Sequence, residues 1–127
     1  MSGELANAAR DFTAALDSMD VDRLLETMAD DAQGVDEISR RWIRGKGDLD
    51  NYLRELISAV SGVQTELRDV EERMWGEGGI VTCWLEQDYT LDGDAQHVSA
   101  PTTIGFVRID GGWKVSLFHS IPLAEQP

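Results

Sequence analysis

The chain has 127 residues, 42 % of them apolar and 28 % charged, the proportions of a folded soluble domain and not of a disordered one. Twenty-four acidic against eleven basic side chains leave a net charge of −13, which repels phosphate backbones and anionic lipid heads, so neither nucleic acid nor a membrane is expected as a partner. The single cysteine, Cys83, excludes an intrachain disulfide and a cysteine-based zinc site, and no cofactor is expected. The chain opens without a basic stretch followed by an apolar run. No apolar stretch approaches the ~20 residues of a membrane span, and the cytoplasm is the expected compartment.

The first element reads as a helix: Leu5, Ala8, Ala9, Phe12, Leu16 and Met19 fall on one helical stripe, with Ser2 as the expected N-cap. Asp20 is placed to cap a second, shorter helix whose apolar face is Val21, Leu24, Leu25 and Met28. Residues 32 to 44 do not declare a period; Gly34, Val35 and Ile38 suit a short strand, and Arg40, Arg41 and Arg44 crowd Trp42 and Ile43. Gly45-Lys46-Gly47 marks a turn, Asp48 is the expected cap of a third helix, and Leu49, Tyr52, Leu53, Leu56, Ile57 and Val60 form its stripe, with Gly62 placed to end it.

After Gly62 the period changes from 3.6 to 2. Four strands are expected over about 63–75, 80–91, 97–109 and 113–121, joined at Gly76–Gly79, Asp92-Gly93-Asp94 and Asp110-Gly111-Gly112, of which the Asp-Gly pairs are strong hairpin signals. Helices followed by strands predict an α+β domain spanning 1–127: three N-terminal helices on an antiparallel sheet, with a loose tail from Ala124.

Three stretches carry a family resemblance. They are Met19-Asp20-Val21-Asp22-Arg23-Leu24 through Met28-Ala29-Asp30-Asp31-Ala32, then Arg44-Gly45-Lys46, and finally Gly112-Trp113-Lys114-Val115 with His119 and Ser120. In order and spacing the chain, from about Leu5 to Leu123, resembles the nuclear transport factor 2-like superfamily, and within it the SnoaL-like branch. The resemblance implies a strongly bent, cone-shaped sheet around the helices, with an apolar cavity at its mouth. Members of the superfamily use that cavity as an isomerase, cyclase, dehydratase or epoxide hydrolase site, or only bind ligands and dimerise through the sheet, so fold does not decide function. A homodimer through the sheet and an apolar small-molecule ligand are the expected partners.

Laid without a gap on ketosteroid isomerase from Asp30 to Gly45, the chain places Asp36 at the position of that enzyme's general base. The same alignment puts Phe12 where the enzyme has its oxyanion tyrosine and Gly105 near its protonated aspartate. Neither side chain donates a hydrogen bond. Losing one such donor typically costs about 3–4 kcal/mol of transition-state stabilisation, so ketosteroid isomerase chemistry as such is not expected.

Asp36 remains the first catalytic candidate, because a carboxylate in an apolar cavity suits proton transfer; its alternative is a solvated strand end beside Glu37. His119 is the second, as a proton partner or as a structural histidine; by strand alternation it shares a face with Trp113, Val115 and Leu117. Glu86 and Asp88 are either partners of Asp36 or a solvated face, and His97 reads as a surface loop residue. The arginine cluster suits either an anionic ligand or nearby acidic side chains, and Cys83 reads as inert packing. Two distant histidines give no metal motif. Of the aromatic residues Phe12, Trp42, Tyr52, Trp84, Phe106 and Phe118, two or three are expected at the cavity, Trp42 foremost.

Overall fold

The computed structural model describes residues 3–124; the expected cap Ser2 and the tail residues Glu125–Pro127 lie outside the described residues. In chain order the elements are α1 (Glu4–Asp17), α2 (Val21–Glu26), β1 (Met28–Asp36), β2 (Ile43–Arg44), α3 (Lys46–Ala59), β3 (Val60–Trp75), β4 (Gly78–Leu91), β5 (Asp94–Ile109) and β6 (Gly112–Ser120). The strands form one sheet in the order β2-β1-β6-β5-β4-β3. The protein is an α+β domain, as its sequence predicts, with three helices set against that sheet.

Three features of the expected sheet are corrected. It has six strands instead of four, and it is mixed, because β1 runs parallel to β6. It is also not strongly curled. The sequence of β1, with Asp30, Asp31, Gln33 and Gly34, has little strand propensity of its own. It becomes a strand because β6 offers an edge for pairing and β2 pairs antiparallel on its other side.

The hairpins follow their turn chemistry. Asp92-Gly93 and Asp110-Gly111 both hold two successive positive φ values (50° and 89°, 52° and 82°), the type I′ geometry that matches strand twist. Helix α2 is capped by Asp20, which accepts from the Arg23 N–H at 3.1 Å. Helix α3 differs from expectation at both ends. It starts at Lys46 after Gly45, so Asp48 lies in its first turn, and Ala59 runs straight into β3. Gly62, with φ +63°, sits inside β3 at a bulge and does not end the helix.

Helix α1 is tied to β3 at both ends. The Glu72 carboxylate accepts from the Gly3 and Ala6 N–H groups at 3.0 Å, satisfying free donors of the first turn. At the other end Asp17 accepts from the Thr65 N–H at 2.9 Å and from its hydroxyl at 2.6 Å. Between these ties, Leu5, Ala9, Phe12 and Ala15 face the sheet and meet Val81, Cys83, Ile104, Phe106 and Val115. Fully buried side chains such as Leu5, Val81, Ile104 and Val115 each stabilise the fold by roughly 1.5–3 kcal/mol. No helix among the described residues is long and apolar enough to cross a membrane.

Candidate functional site

Asp36 ends β1, where the parallel register sets it beside Ser120 of β6. Its side chain faces the helices. The Oδ1 oxygen accepts from the Ile38 N–H at 3.1 Å and the Ser39 N–H at 2.8 Å, so the carboxylate also organises the turn that follows the strand. The Tyr52 hydroxyl, delivered by α3, donates to the same carboxylate at 2.8 Å from Oδ1 and 3.0 Å from Oδ2. Burial first, and then the charge of Asp36, raise the Tyr52 phenol well above its ordinary range and keep it a donor.

A second carboxylate–tyrosine pair stands next to the first. The Tyr89 hydroxyl of β4 donates to Glu37. Burial and that bond raise the Tyr89 phenol too. On the far side, the buried hydroxyls of Thr102 and Ser120 pair at 2.8 Å.

These groups edge two small interior cavities. One, of about 70 Å³, has Asp20, Asp36, Glu37, Gln87, Tyr89 and Ser120 as its polar wall and is otherwise apolar. Ile38 and Ile57, each 37 % exposed, lie at its opening. The other, of about 60 Å³, lies deeper, with Phe12, Tyr52 and Ile43 on its wall. Leu16, Leu24, Asp36, Leu53, Leu56 and Phe118 line both and form the partition. Drug-sized pockets are several times larger. The space between helices and sheet is therefore largely filled by side chains.

The other expected site residues fall as follows. Phe12 and Tyr52 line the deeper cavity, and Phe118 lines both. Phe106 is core, 3 % exposed, and lines neither. Trp42 is corrected: it is 41 % exposed, its ring 5.9 Å from that of His119 and 5.4 Å from the Arg44 guanidinium, on neither cavity wall. Trp84 stands on the outer face of the sheet under Arg68, beside an open groove that also takes in His119 and Ile121–Ala124.

His119 is far from Asp36 for a local reason. Phe106 pairs with Val115 and Gly105 with Leu117, so Ser116 is an extra residue that reverses the alternation of β6. Val115 faces inward before the bulge, Phe118 and Ser120 face inward after it, and His119 turns outward and is exposed. Gly105, the expected counterpart of the second oxyanion donor, pairs with Ile80 and Leu117 on the outer side, and a Cβ there would stand 3.2 Å from Leu117 and Ser116. The inward polar residue of β5 near the site is Thr102.

Glu86 and Asp88 lie on the outer face, where His97 bridges them at 3.3 and 2.7 Å; the hydrogen bond to Asp88 is the main cause raising the imidazole pKa. They do not share a site with Asp36, and His97 belongs to strand β5, not to a loop. Arg40, Arg41 and Arg44 are exposed and line neither cavity. Cys83 is buried on the inner face, which pushes its thiol up to about 11. Among the described residues, no group of three His, Cys, Asp or Glu side chains is placed to hold a metal ion.

Three helices on a six-stranded mixed sheet in this order are the nuclear transport factor 2-like fold. The SnoaL-like domain family matches residues 5–124, and the chain belongs to that family. Solved structures share the fold at low identity. A candidate dehydratase of the NTF2-like family from Streptomyces avermitilis is 19 % identical, with a TM-score of 0.86 over 96 % of both chains. A ketosteroid isomerase-like protein from Erwinia carotovora atroseptica is 17 % identical, with a TM-score of 0.81 over 98 % of this chain and 100 % of that one. An NTF2-like protein of unknown function from Pseudomonas putida is 18 % identical, with a TM-score of 0.81 over 96 % and 86 %. No curated protein matches the chain.

Proposed function

We propose that this SnoaL-like protein binds a small apolar molecule in the cavity beside Asp36, Glu37 and Tyr89, works as a homodimer through the outer face of its sheet, and lacks ketosteroid isomerase activity. One observation carries the reading. The Asp36 carboxylate accepts from two backbone N–H groups and the Tyr52 hydroxyl beside a cavity of only about 70 Å³. A carboxylate so engaged holds the wall in place, and both positions where ketosteroid isomerase has oxyanion donors, Phe12 and Gly105, lack one. Trp84, His119 and the neighbouring groove give the outer face apolar area suited to a second copy.

The test is a thermal-shift screen of small apolar molecules on the native protein and Asp36→Asn, with sedimentation equilibrium alongside. Hits that raise the melting temperature of the native protein and shift it less in Asp36→Asn support the cavity. A silent screen counts against it, and a monomer at micromolar concentration removes the dimer.

A second reading is an isomerase, cyclase or dehydratase acting on an apolar carbonyl substrate with Asp36 as general base. It is favoured by Ser120, which lines the same cavity one strand away with its hydroxyl paired to Thr102. Exchange of α-protons of small ketones into deuterated water, followed by NMR, tests it: exchange lost in Asp36→Asn supports catalysis, and none above background refutes it.

A further inference from the structure

The outer cavity has an unusual balance of polar groups. Its wall carries three carboxylates, Asp20, Asp36 and Glu37, and no lysine, arginine or histidine. The deeper cavity has no cation either. The exposed Arg40 and Arg41, just past the turn, line neither. The net charge of −13 adds a long-range field of the same sign.

The hydrogen-bond inventory narrows the ligand further. Both phenolic donors at the site are committed: Tyr52 to Asp36 and Tyr89 to Glu37. The other donors on the wall are the Gln87 amide, which gives one N–H to Thr65, and the Ser120 hydroxyl, which pairs with Thr102, so a carbonyl meets few free donors and a carboxylate also meets like charge. An ammonium has donors only and no acceptor, so it adds to the existing acceptors without displacing a bond. Glu37 uses Oε1 for Tyr89, and its Oε2 has no donor among the described residues. The remaining wall is apolar, and its volume, about 70 Å³, is roughly half that of an apolar cavity known to take benzene, which suits a chain of about three to five carbons.

We propose that this cavity selects a small aliphatic primary amine in its protonated form, with the ammonium at the Glu37 carboxylate and the alkyl chain on the apolar wall. This rests on the cavity being the ligand site, and the experiment separates the two claims. Isothermal titration at pH 7 and fixed ionic strength uses n-butylammonium, n-butanol and butyrate, with methyl NMR spectra of Ile57, Leu85 and Val98 reporting where each binds. Glu37→Gln is nearly isosteric and keeps a carbonyl oxygen for Tyr89, and its melting temperature verifies the fold.

The expected result is that butylammonium binds about tenfold or more tightly than butanol, that butyrate does not bind, and that Glu37→Gln levels amine and alcohol while the same methyl groups shift. Equal or tighter binding of butanol overturns the charge preference and leaves the cavity as a ligand site. Amine binding that Glu37→Gln does not weaken, or that leaves those methyl signals unmoved, overturns the assignment to Glu37. Failure of all three probes to bind overturns both claims.

Discussion

Replacing Tyr52 by phenylalanine removes one hydroxyl and leaves the ring packed between α3 and the core. That hydroxyl lies 2.8 and 3.0 Å from the two Asp36 oxygens, but it has one proton, so a single charge-assisted hydrogen bond is lost. Asp36 keeps the Ile38 and Ser39 N–H groups, so its charge is not orphaned. A bond of this kind contributes about 1.5–3 kcal/mol, and partial exposure of the pair puts the expected loss near 2 kcal/mol. For a chain of this length that corresponds to a fall in melting temperature of about 7 °C.

The pH dependence adds an independent check. The Tyr52 phenol is raised in the folded state above its ordinary value of 10.0, so the folded protein holds that proton more tightly than the unfolded chain. Its contribution is fully present below about pH 10 and is lost as pH rises further. Urea denaturation from pH 7 to 11 on both proteins measures both effects, and Tyr52→Phe is expected to lose less stability than the native protein above pH 10. A change under about 0.5 kcal/mol at pH 7, with identical alkaline profiles, would refute the Asp36–Tyr52 pairing as a stabilising contact.

Gly79→Ala is expected to destabilise by more than about 2 kcal/mol, because its Cβ would meet the Arg73 carbonyl at 2.6 Å and the Met74 Cα at 3.2 Å; denaturant titration reads it. Phe118→Ala removes the aromatic part of the partition between the two cavities and is expected to cost about 3 kcal/mol while raising affinity for benzene-sized apolar molecules, measured by denaturation and by ligand-induced thermal shift. Cys83, buried with its thiol pushed up to about 11, is expected to resist iodoacetamide at pH 8 in the native protein and to react at once in urea. Its raised value also means that its share of stability holds below about pH 9 and fades as pH climbs toward 11.

The family was legible in the chain because its marks are local. Apolar stripes at helical spacing, an Asp20 cap and two Asp-Gly turns need no distant partner to take their form. The resemblance to ketosteroid isomerase between Asp30 and Gly45 singled out Asp36, which lines both cavities, whereas alternation along β4 separated two faces without saying which of them is the inner one. The rest was settled by pairing at long range. Residues 28–36 have little strand propensity and became a strand only against β6. One extra residue, Ser116, reversed the faces of β6, turning His119 out to Trp42 and bringing Phe118 and Ser120 to the cavity, and no period in the sequence announces such a bulge. Tyr52 could be read from the sequence as a helix residue and a candidate for the cavity wall, and Tyr89 and Thr102 only as members of their strands. Their hydroxyls acquired Asp36, Glu37 and Ser120 as partners because the fold carries α3, β4 and β5 to the ends of β1 and β6, across separations of 16, 52 and 18 residues that local periodicity cannot see.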